Sequence, residues 1–277
     1  MQILFLGGDL RQKYASDYLN KRSIKSKSYI NYTLNDDEVL KDIGESSVIV
    51  LPLPIQKDSI DEIFNRINAK QTVLGGIIPE NIYTKYSNKC RAIIDYYKND
   101  YFVLHNAFIS AEGAIFYAKE KINRSIKNSK IAILGFGRIG KMISYLLWAQ
   151  GAKISVFTRK DIDCLWSELM GFDAHKTENL SAVAGVKENN SFDIIFNTIP
   201  AHIINEDLIK DIHNSIIIDL ASYPYGLDDD LLKKYNVSYY REPGIPGRYA
   251  PQSAGEIIGE TVINILNQEK LLWLDSQ

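Results

Sequence analysis

The residues best placed to do chemistry stand between Ser129 and Arg159, where type and spacing describe a dinucleotide site. Ile131-Ala132-Ile133-Leu134 is a short apolar run suited to a buried parallel strand. It leads into Gly135-Phe136-Gly137-Arg138-Ile139-Gly140, and an apolar helix is predicted to follow as far as Ala149. In such a βαβ unit Gly135 permits the tight turn, Gly137 lets backbone N–H groups approach a pyrophosphate, and Gly140 lets helix and strand pack closely. The helix N-terminus favours the phosphate's negative charge. The next strand, Lys153–Phe157, ends at Thr158-Arg159-Lys160. An NAD site would place Asp or Glu here, roughly 20 residues beyond the glycines, to accept from the ribose 2′-OH. This chain offers a hydroxyl and two cations instead, which suits a 2′-phosphate, so the cofactor predicted is NADP.

Three further strand ends converge on the same edge. Ile194–Phe196 enters Asn197-Thr198-Ile199-Pro200, Ser215–Asp219 runs into Leu220-Ala221-Ser222, and Val237–Tyr240 precedes the segment Arg241–Arg248. Thr198 and Pro200 are therefore added to the cofactor contacts, and Ser222 is placed near nicotinamide ribose or substrate. Without a credible His/Asp pair, Ser222 is no hydrolase nucleophile. The N-terminal turn Gly7-Gly8-Asp9-Leu10-Arg11 is not GxGxxG. Because ligands of open α/β sheets sit at the carboxyl ends of strands, Asp9, Arg11 and the loop 52–56 are expected to bind something other than a dinucleotide.

The elements that must position these residues alternate throughout. Strands are predicted at 2–6, 28–32, 47–53, 72–74 and 91–95, with helices at 11–21, 36–43 and 58–68 between them. This pattern argues for an open parallel sheet covered by helices. Residues 106–121 read as a long connecting helix, capped by Ser110 with Glu112 in its first turn. A closing helix is expected at 253–267. The predicted architecture is α/β, with two open parallel-sheet domains joined by a long helix, the second a Rossmann dinucleotide-binding domain. The expected division is 1–105, 106–252 with the connecting helix, and 253–277, the last packing back on the N-terminal domain.

At 277 residues, 45% hydrophobic and 24% charged, the composition is ordinary for a globular protein. A formal net charge of −2 gives no reason to expect nucleic acid or an anionic membrane as partner. Cys90 and Cys164 have no metal or redox spacing, which suits a reducing compartment. His175, His202 and His213 have no metal-ligand spacing, so no metal is predicted. No apolar run approaches the roughly 18–20 residues of a membrane span, and the N-terminus does not read as a signal peptide. The expectation is a soluble cytoplasmic protein.

Five segments together resemble the family of NADP-binding dipicolinate synthase subunits. They are Gly7-Gly8-Asp9-x-Arg11-Gln12, Asn106-Ala107 with Ser110-Ala111-Glu112-Gly113-Ala114, the glycine loop Leu134–Gly140, Asp219-Leu220-Ala221-Ser222, and Pro243-Gly244-x-Pro246-Gly247-x-x-Ala250-Pro251-x-Ser253-Ala254-Gly255. The family usually has Thr at the positions of Ser110 and Ser253, and consecutive glycines where this chain has Tyr225-Gly226. The resemblance implies an NADP-dependent oxidoreductase of spore-forming bacteria, located in the mother cell and acting with the second, flavoprotein-like subunit of dipicolinate synthase. It would convert dihydrodipicolinate or its hydrated precursor into pyridine-2,6-dicarboxylate. For such a dicarboxylate, planar guanidinium groups make Arg11 and Arg248 better partners than lysines, whereas Arg241 falls within a strand. Asp9 is expected to bind substrate or orient Arg11. His105 and Glu112 are the candidates for proton removal. Two other readings stand beside this one: a shikimate-dehydrogenase-like NADP enzyme, for which no suitable Lys/Asp pair is found, and a non-catalytic NADP sensor. Self-association is compatible with all three.

Overall fold

The computed structural model describes residues 1–55, 60–185, 192–212, 214–235 and 237–270. His213 and Gln56 lie outside them. The first five strands are β1 (Ile3–Leu6), β2 (Ser26–Tyr29), β3 (Val48–Val50), β4 (Thr72–Gly75) and β5 (Ala92–Asp95). All their pairings are parallel, in the order β2-β1-β3-β4-β5. The helices between them are α1 (Leu10–Asn20), α2 (Asp37–Glu45), α3 (Ile60–Arg66) and α4 (Glu80–Tyr86). Strands β1, β3 and β4 are buried at every position because both faces of the sheet are covered.

Helix α5 (Asp100–Lys121) carries the chain from this unit into the next. Its start corrects the predicted connecting helix. Asn99 is the cap, its Oδ1 accepting from Phe102 N at 3.2 Å, and Phe102 and Val103 bury themselves in the first unit's core. Ser110 and Glu112 therefore lie mid-helix, and His105 is inside the helix rather than before it. The cap-like Ser-x-Glu spacing was outweighed by tertiary burial of the preceding turns.

The second unit, Ala107–Ile245, runs β6 (Lys130–Leu134), α6 (Arg138–Trp148), β7 (Lys153–Thr158), α7 (Asp161–Leu169), β8 (Asp173–Lys176), α8 (Leu180–Gly185), β9 (Ile194–Asn197), α9 (Glu206–Asp211), β10 (Ile216–Asp219), α10 (Asp229–Lys234) and β11 (Ser238–Arg241). The strands are parallel in the order β11-β10-β9-β6-β7-β8. That is the doubly wound dinucleotide-binding order. Short α11 (Ile245–Tyr249) is followed by α12 (Pro251–Gln268). The chain rejoins the first unit at Pro246, earlier than the expected 253.

Helix α12 packs along α1 through two glycines. A Cβ at Gly255 would sit 2.5 Å from the Arg11 carbonyl and from Tyr14 Cβ, and one at Gly259 would sit 2.8 Å from the Tyr18 ring. Small residues at this spacing let the helix backbones approach closely, and Ile258, Val262, Ile265 and Leu266 then reach the core beside Ala15 and Leu19. Among the described residues no helix is long and apolar enough to cross a membrane.

Candidate functional site

In each sheet the strand order reverses at one place, and there the loops leave a crevice for ligand. In the second unit the reversal lies between β6 and β9. Gly135 leaves β6 with φ +94, a conformation that L side chains rarely adopt, and its N–H donates to the Phe157 carbonyl at 2.8 Å. A Cβ at Gly140 would overlap the Gly135 carbonyl oxygen, so only glycine lets α6 start this close to β6. Gly137 is the N-cap of α6 and supplies no side-chain hydrogen bond. A Cβ there would meet nothing within 4 Å. The first N–H groups of α6 thus face an open cradle, which fits a pyrophosphate. Phe136 is buried beneath the loop, Ile139 is half-buried and Arg138 is exposed.

The loop after β9 closes the other side. Thr198 Oγ1 donates to the Leu134 carbonyl at 2.9 Å, so its hydroxyl ties β9 to the glycine turn, and Pro200 is exposed beyond it. At the end of β7, Thr158 is buried while Arg159 and Lys160 are exposed. A third cation, which the sequence reading missed, joins them. Lys176 pairs in register with Thr158 across β7 and β8, and its Nζ donates to the Arg159 carbonyl at 3.1 Å. It also pairs with Asp161, the hydrogen bond to that carboxylate raising the Lys176 pKa. Only strand pairing could reveal it, because Lys176 lies far from Arg159 along the chain.

Below this edge is a buried polar clamp, also missed. Asp219 Oδ1 accepts from Asn197 Nδ2 and from Ala221 N, each at 2.9 Å, and Oδ2 accepts from Gly226 N at 2.7 Å and from the Tyr239 hydroxyl. Burial and then the Asp219 carboxylate push the Tyr239 phenol upward. The clamp joins β9, β10 and β11 and shapes the loop that carries Ser222, which is exposed. Gly226 is required there because a Cβ would strike the Asn197 amide.

In the first unit the reversal lies between β1 and β3, at Asp9 and Arg11. The pair is already made. Arg11 Nε donates to Asp9 Oδ1 at 2.9 Å, and Nη2 donates to Asp9 Oδ2 at 2.8 Å and to the Leu53 carbonyl at 3.0 Å. Burial acts to raise the Asp9 carboxyl, but the Arg11 hydrogen bonds and charge outweigh it and hold it below its usual value. Asp9 thus takes the Nε–Nη2 edge of the guanidinium. Asp9 and the Leu53 carbonyl hold Arg11, and among the described residues only Nη1 of that guanidinium is left without a hydrogen bond. Gly247 borders the pair, since a Cβ there would sit 2.8 Å from Asp9 Oδ2 and 3.0 Å from Arg11 Nε. Arg248 follows it and is exposed. Gln12 is the surprise. It is 2% exposed, with its Cγ 3.2 Å from where a Gly8 Cβ would stand, and neither amide atom has a hydrogen-bond partner.

His105 is exposed, its ring lies tilted by 34° against Tyr101 with centroids 4.1 Å apart, and its Nδ1 contacts the Tyr101 carbonyl at 2.8 Å. Glu112 is half-buried two turns further along α5. Among the described residues no group of three or more His, Cys, Asp or Glu could hold a metal ion.

Known proteins are similar to this chain in sequence and fold. A dipicolinate synthase subunit of Bacillus subtilis (strain 168) is 28% identical over 214 residues, which is 76% of this chain and 69% of that protein. The chain is similar to this dipicolinate synthase subunit. The solved dipicolinate synthase chain from Bacillus subtilis superposes with a TM-score of 0.82 at 24% identity, covering 98% of this chain and 97% of that one. Its counterpart from Bacillus halodurans gives 0.81 at 21% identity, covering 96% and 97%. An NAD-complexed D-isomer-specific 2-hydroxyacid dehydrogenase from Lactobacillus delbrueckii ssp. bulgaricus shares the fold at 13% identity and TM-score 0.55, covering 100% and 99%. No family model matches the chain. The fold is that of these dipicolinate synthase chains and of the D-isomer-specific 2-hydroxyacid dehydrogenase.

Proposed function

We propose that the chain is an NADP-dependent oxidoreductase that dehydrogenates dihydrodipicolinate, or its hydrated precursor, to pyridine-2,6-dicarboxylate. It acts with a second, flavoprotein-like subunit in the mother cell of a sporulating bacterium. The observation that carries this reading is the uncapped N-terminus of α6 behind an open Gly137, with Thr158-Arg159-Lys160 at the end of the neighbouring strand. The similarity to the Bacillus subtilis dipicolinate synthase subunit supports dipicolinate as the product. Ring aromatisation removes a hydride and a proton, with water also lost from the hydrated precursor, and a bound nicotinamide would supply the hydride acceptor.

The protein's part is placement and charge. The α6 N–H groups hold the pyrophosphate, and Arg159 and Lys160 hold the 2′-phosphate with Lys176 behind them. Arg11 Nη1 and Arg248 meet substrate carboxylates, and Ser222 contacts substrate or ribose. For proton removal, His105, whose Nδ1 lies 2.8 Å from the Tyr101 carbonyl, is one candidate; Glu112 is the other. The buried amide of Gln12 is kept for a polar atom of the substrate, since an unpaired buried group costs about 1–3 kcal/mol.

Two results are expected. Gln12→Met should raise the thermal midpoint by a few degrees, as about 1 kcal/mol of unpaired polarity is relieved, while weakening pyridine-2,6-dicarboxylate binding about tenfold in calorimetry. Unchanged binding would make Gln12 a structural residue only. NADP⁺ should bind about 100-fold tighter than NAD⁺, and Arg159→Ala with Lys160→Ala should erase the difference. The activity itself is tested by mixing the chain, with and without its flavoprotein-like partner, with NADP⁺ and fresh dihydrodipicolinate. Equal growth of reduced cofactor and pyridine absorbance is expected; NADP binding without either signal, the partner present, would overturn the dehydrogenase reading in favour of a sensor or another substrate.

A further inference from the structure

Tyr223 stands 83% exposed, more than any other large apolar or aromatic side chain among the described residues, yet the turn that carries it is firmly held. Ala221 N donates to Asp219 Oδ1 at 2.9 Å on one side of the turn, and Gly226 N donates to Asp219 Oδ2 at 2.7 Å on the other. Between them Tyr225 N donates to the Ser222 carbonyl at 3.0 Å, which leaves Tyr223 and Pro224 at the tip. The loop after β9 adds two ties. His202 Nε2 lies 2.9 Å from the Pro224 carbonyl, and Ile204 N donates to the Gly226 carbonyl at 3.0 Å.

The backbone pays for this arrangement at Tyr225, whose φ of +69 lies in the left-handed region that a bulky L residue avoids. Ring contacts offset the strain. The Arg241 guanidinium sits 4.4 Å from the Tyr225 ring centroid, and the Tyr223 and Tyr225 rings meet edge to face at 6.1 Å with 87° between their planes. Asp229 pairs with Arg241 and balances its charge. Strain that the surroundings hold in place is concentrated at ligand-facing segments. Here it keeps an aromatic ring standing in water instead of folded onto the protein.

The position in the sheet indicates what the ring would meet. With the 2′-phosphate at Arg159 and Lys160 after β7 and the pyrophosphate at the start of α6, the order β11-β10-β9-β6-β7-β8 leaves the nicotinamide half of the cofactor over the ends of β9 and β10. Tyr223 lies just beyond the end of β10. The oxidised nicotinamide ring is a cation and the reduced ring is uncharged, and the negative face of an aromatic ring attracts a cation laid over it. We propose that Tyr223 covers the nicotinamide and selects its oxidised form over the reduced one. The inference rests on the dinucleotide reading of this unit and adds the residue that sets which redox state is held. The site takes up NADP⁺ and lets NADPH go.

The test titrates the full chain and its Tyr223→Phe and Tyr223→Leu variants by calorimetry with NADP⁺, NADPH and 2′-phospho-ADP-ribose, which lacks the nicotinamide. Tyr223→Leu should lower the preference for NADP⁺ over NADPH about tenfold by weakening NADP⁺, and Tyr223→Phe should keep the preference because it keeps the ring. All three proteins should bind 2′-phospho-ADP-ribose alike and unfold at the same temperature, as fits an exposed side chain. A preference unchanged by Tyr223→Leu overturns the proposal and leaves the dinucleotide reading standing; loss of the flavoprotein-like partner in that case would make Tyr223 a docking residue. Weaker binding of 2′-phospho-ADP-ribose by the Leu variant also overturns it, since the residue would then act through the shape of its loop. A wild type that binds none of the three ligands would bring down the dinucleotide reading and the proposal with it.

Discussion

Asp219→Ala is expected to cost the second unit about 4 kcal/mol, a large share of the 5–15 kcal/mol by which a domain is stable. The carboxylate is 1% exposed and accepts from Asn197, Ala221 N, Gly226 N and the Tyr239 hydroxyl. Removing it takes the acceptor from four donors, of which Asn197 Nδ2 alone keeps a second bond, to the Ile199 carbonyl at 3.1 Å. Each buried unpaired donor costs about 1–3 kcal/mol; water entering the vacated space recovers part of that, so the total falls below the simple sum. Asn at this position keeps one acceptor but turns an N–H toward existing donors, so Asp219→Asn should fare only slightly better. Tyr239→Phe removes a single partner and should cost about 1 kcal/mol. Urea unfolding followed by circular dichroism would rank the three. An Asp219→Ala protein within 1 kcal/mol of wild type would show that the clamp does not hold the strand ends.

Gly140→Ala should destabilise the protein by about 3 kcal/mol and weaken dinucleotide binding on the order of 100-fold. The added Cβ would overlap the Gly135 carbonyl, which is backbone and cannot rotate aside. Either α6 moves away from β6 or the glycine turn is displaced, and both disturb the N–H groups meant for phosphate. Gly137→Ala is the matched comparison. Its Cβ enters open space, so the fold should lose no more than about 1 kcal/mol from the poorer cap. Binding should still weaken, because the methyl group stands where a pyrophosphate would approach. Thermal unfolding read beside dinucleotide titration separates the two. Equal losses of stability would refute the distinction between a packing glycine and a cradle glycine.

The parallel-sheet fold was legible because both sheets bury short apolar strands between helices, and that pattern is local. The run from Ile131 to Gly140 announced strand, turn and helix N-terminus in sequence order, and the cations after β7 followed at the expected interval. Helix α4 escaped notice because only Ile82 and Tyr86 bury, too few positions to show a helical period. The start of α5 was misplaced for the opposite reason. A cap-like Ser110 was locally persuasive, whereas the real boundary is set by Asn99 and by the core that Phe102 and Val103 enter.

By itself, then, the sequence determined what short-range chemistry dictates: which glycines must be glycines, which strand ends carry charge, and which segments alternate. Tertiary structure decided which groups those ends share. The Asp9–Arg11 pair, two residues apart, was readable locally, but the bond of Arg11 to the Leu53 carbonyl depends on β1 and β3 lying side by side. Lys176 reaches Arg159 only through the β7–β8 register, and Asp219 gathers donors from three different strand ends. The outward ring of Tyr223 follows the same logic, since only the contacts around its turn decide which way that ring points.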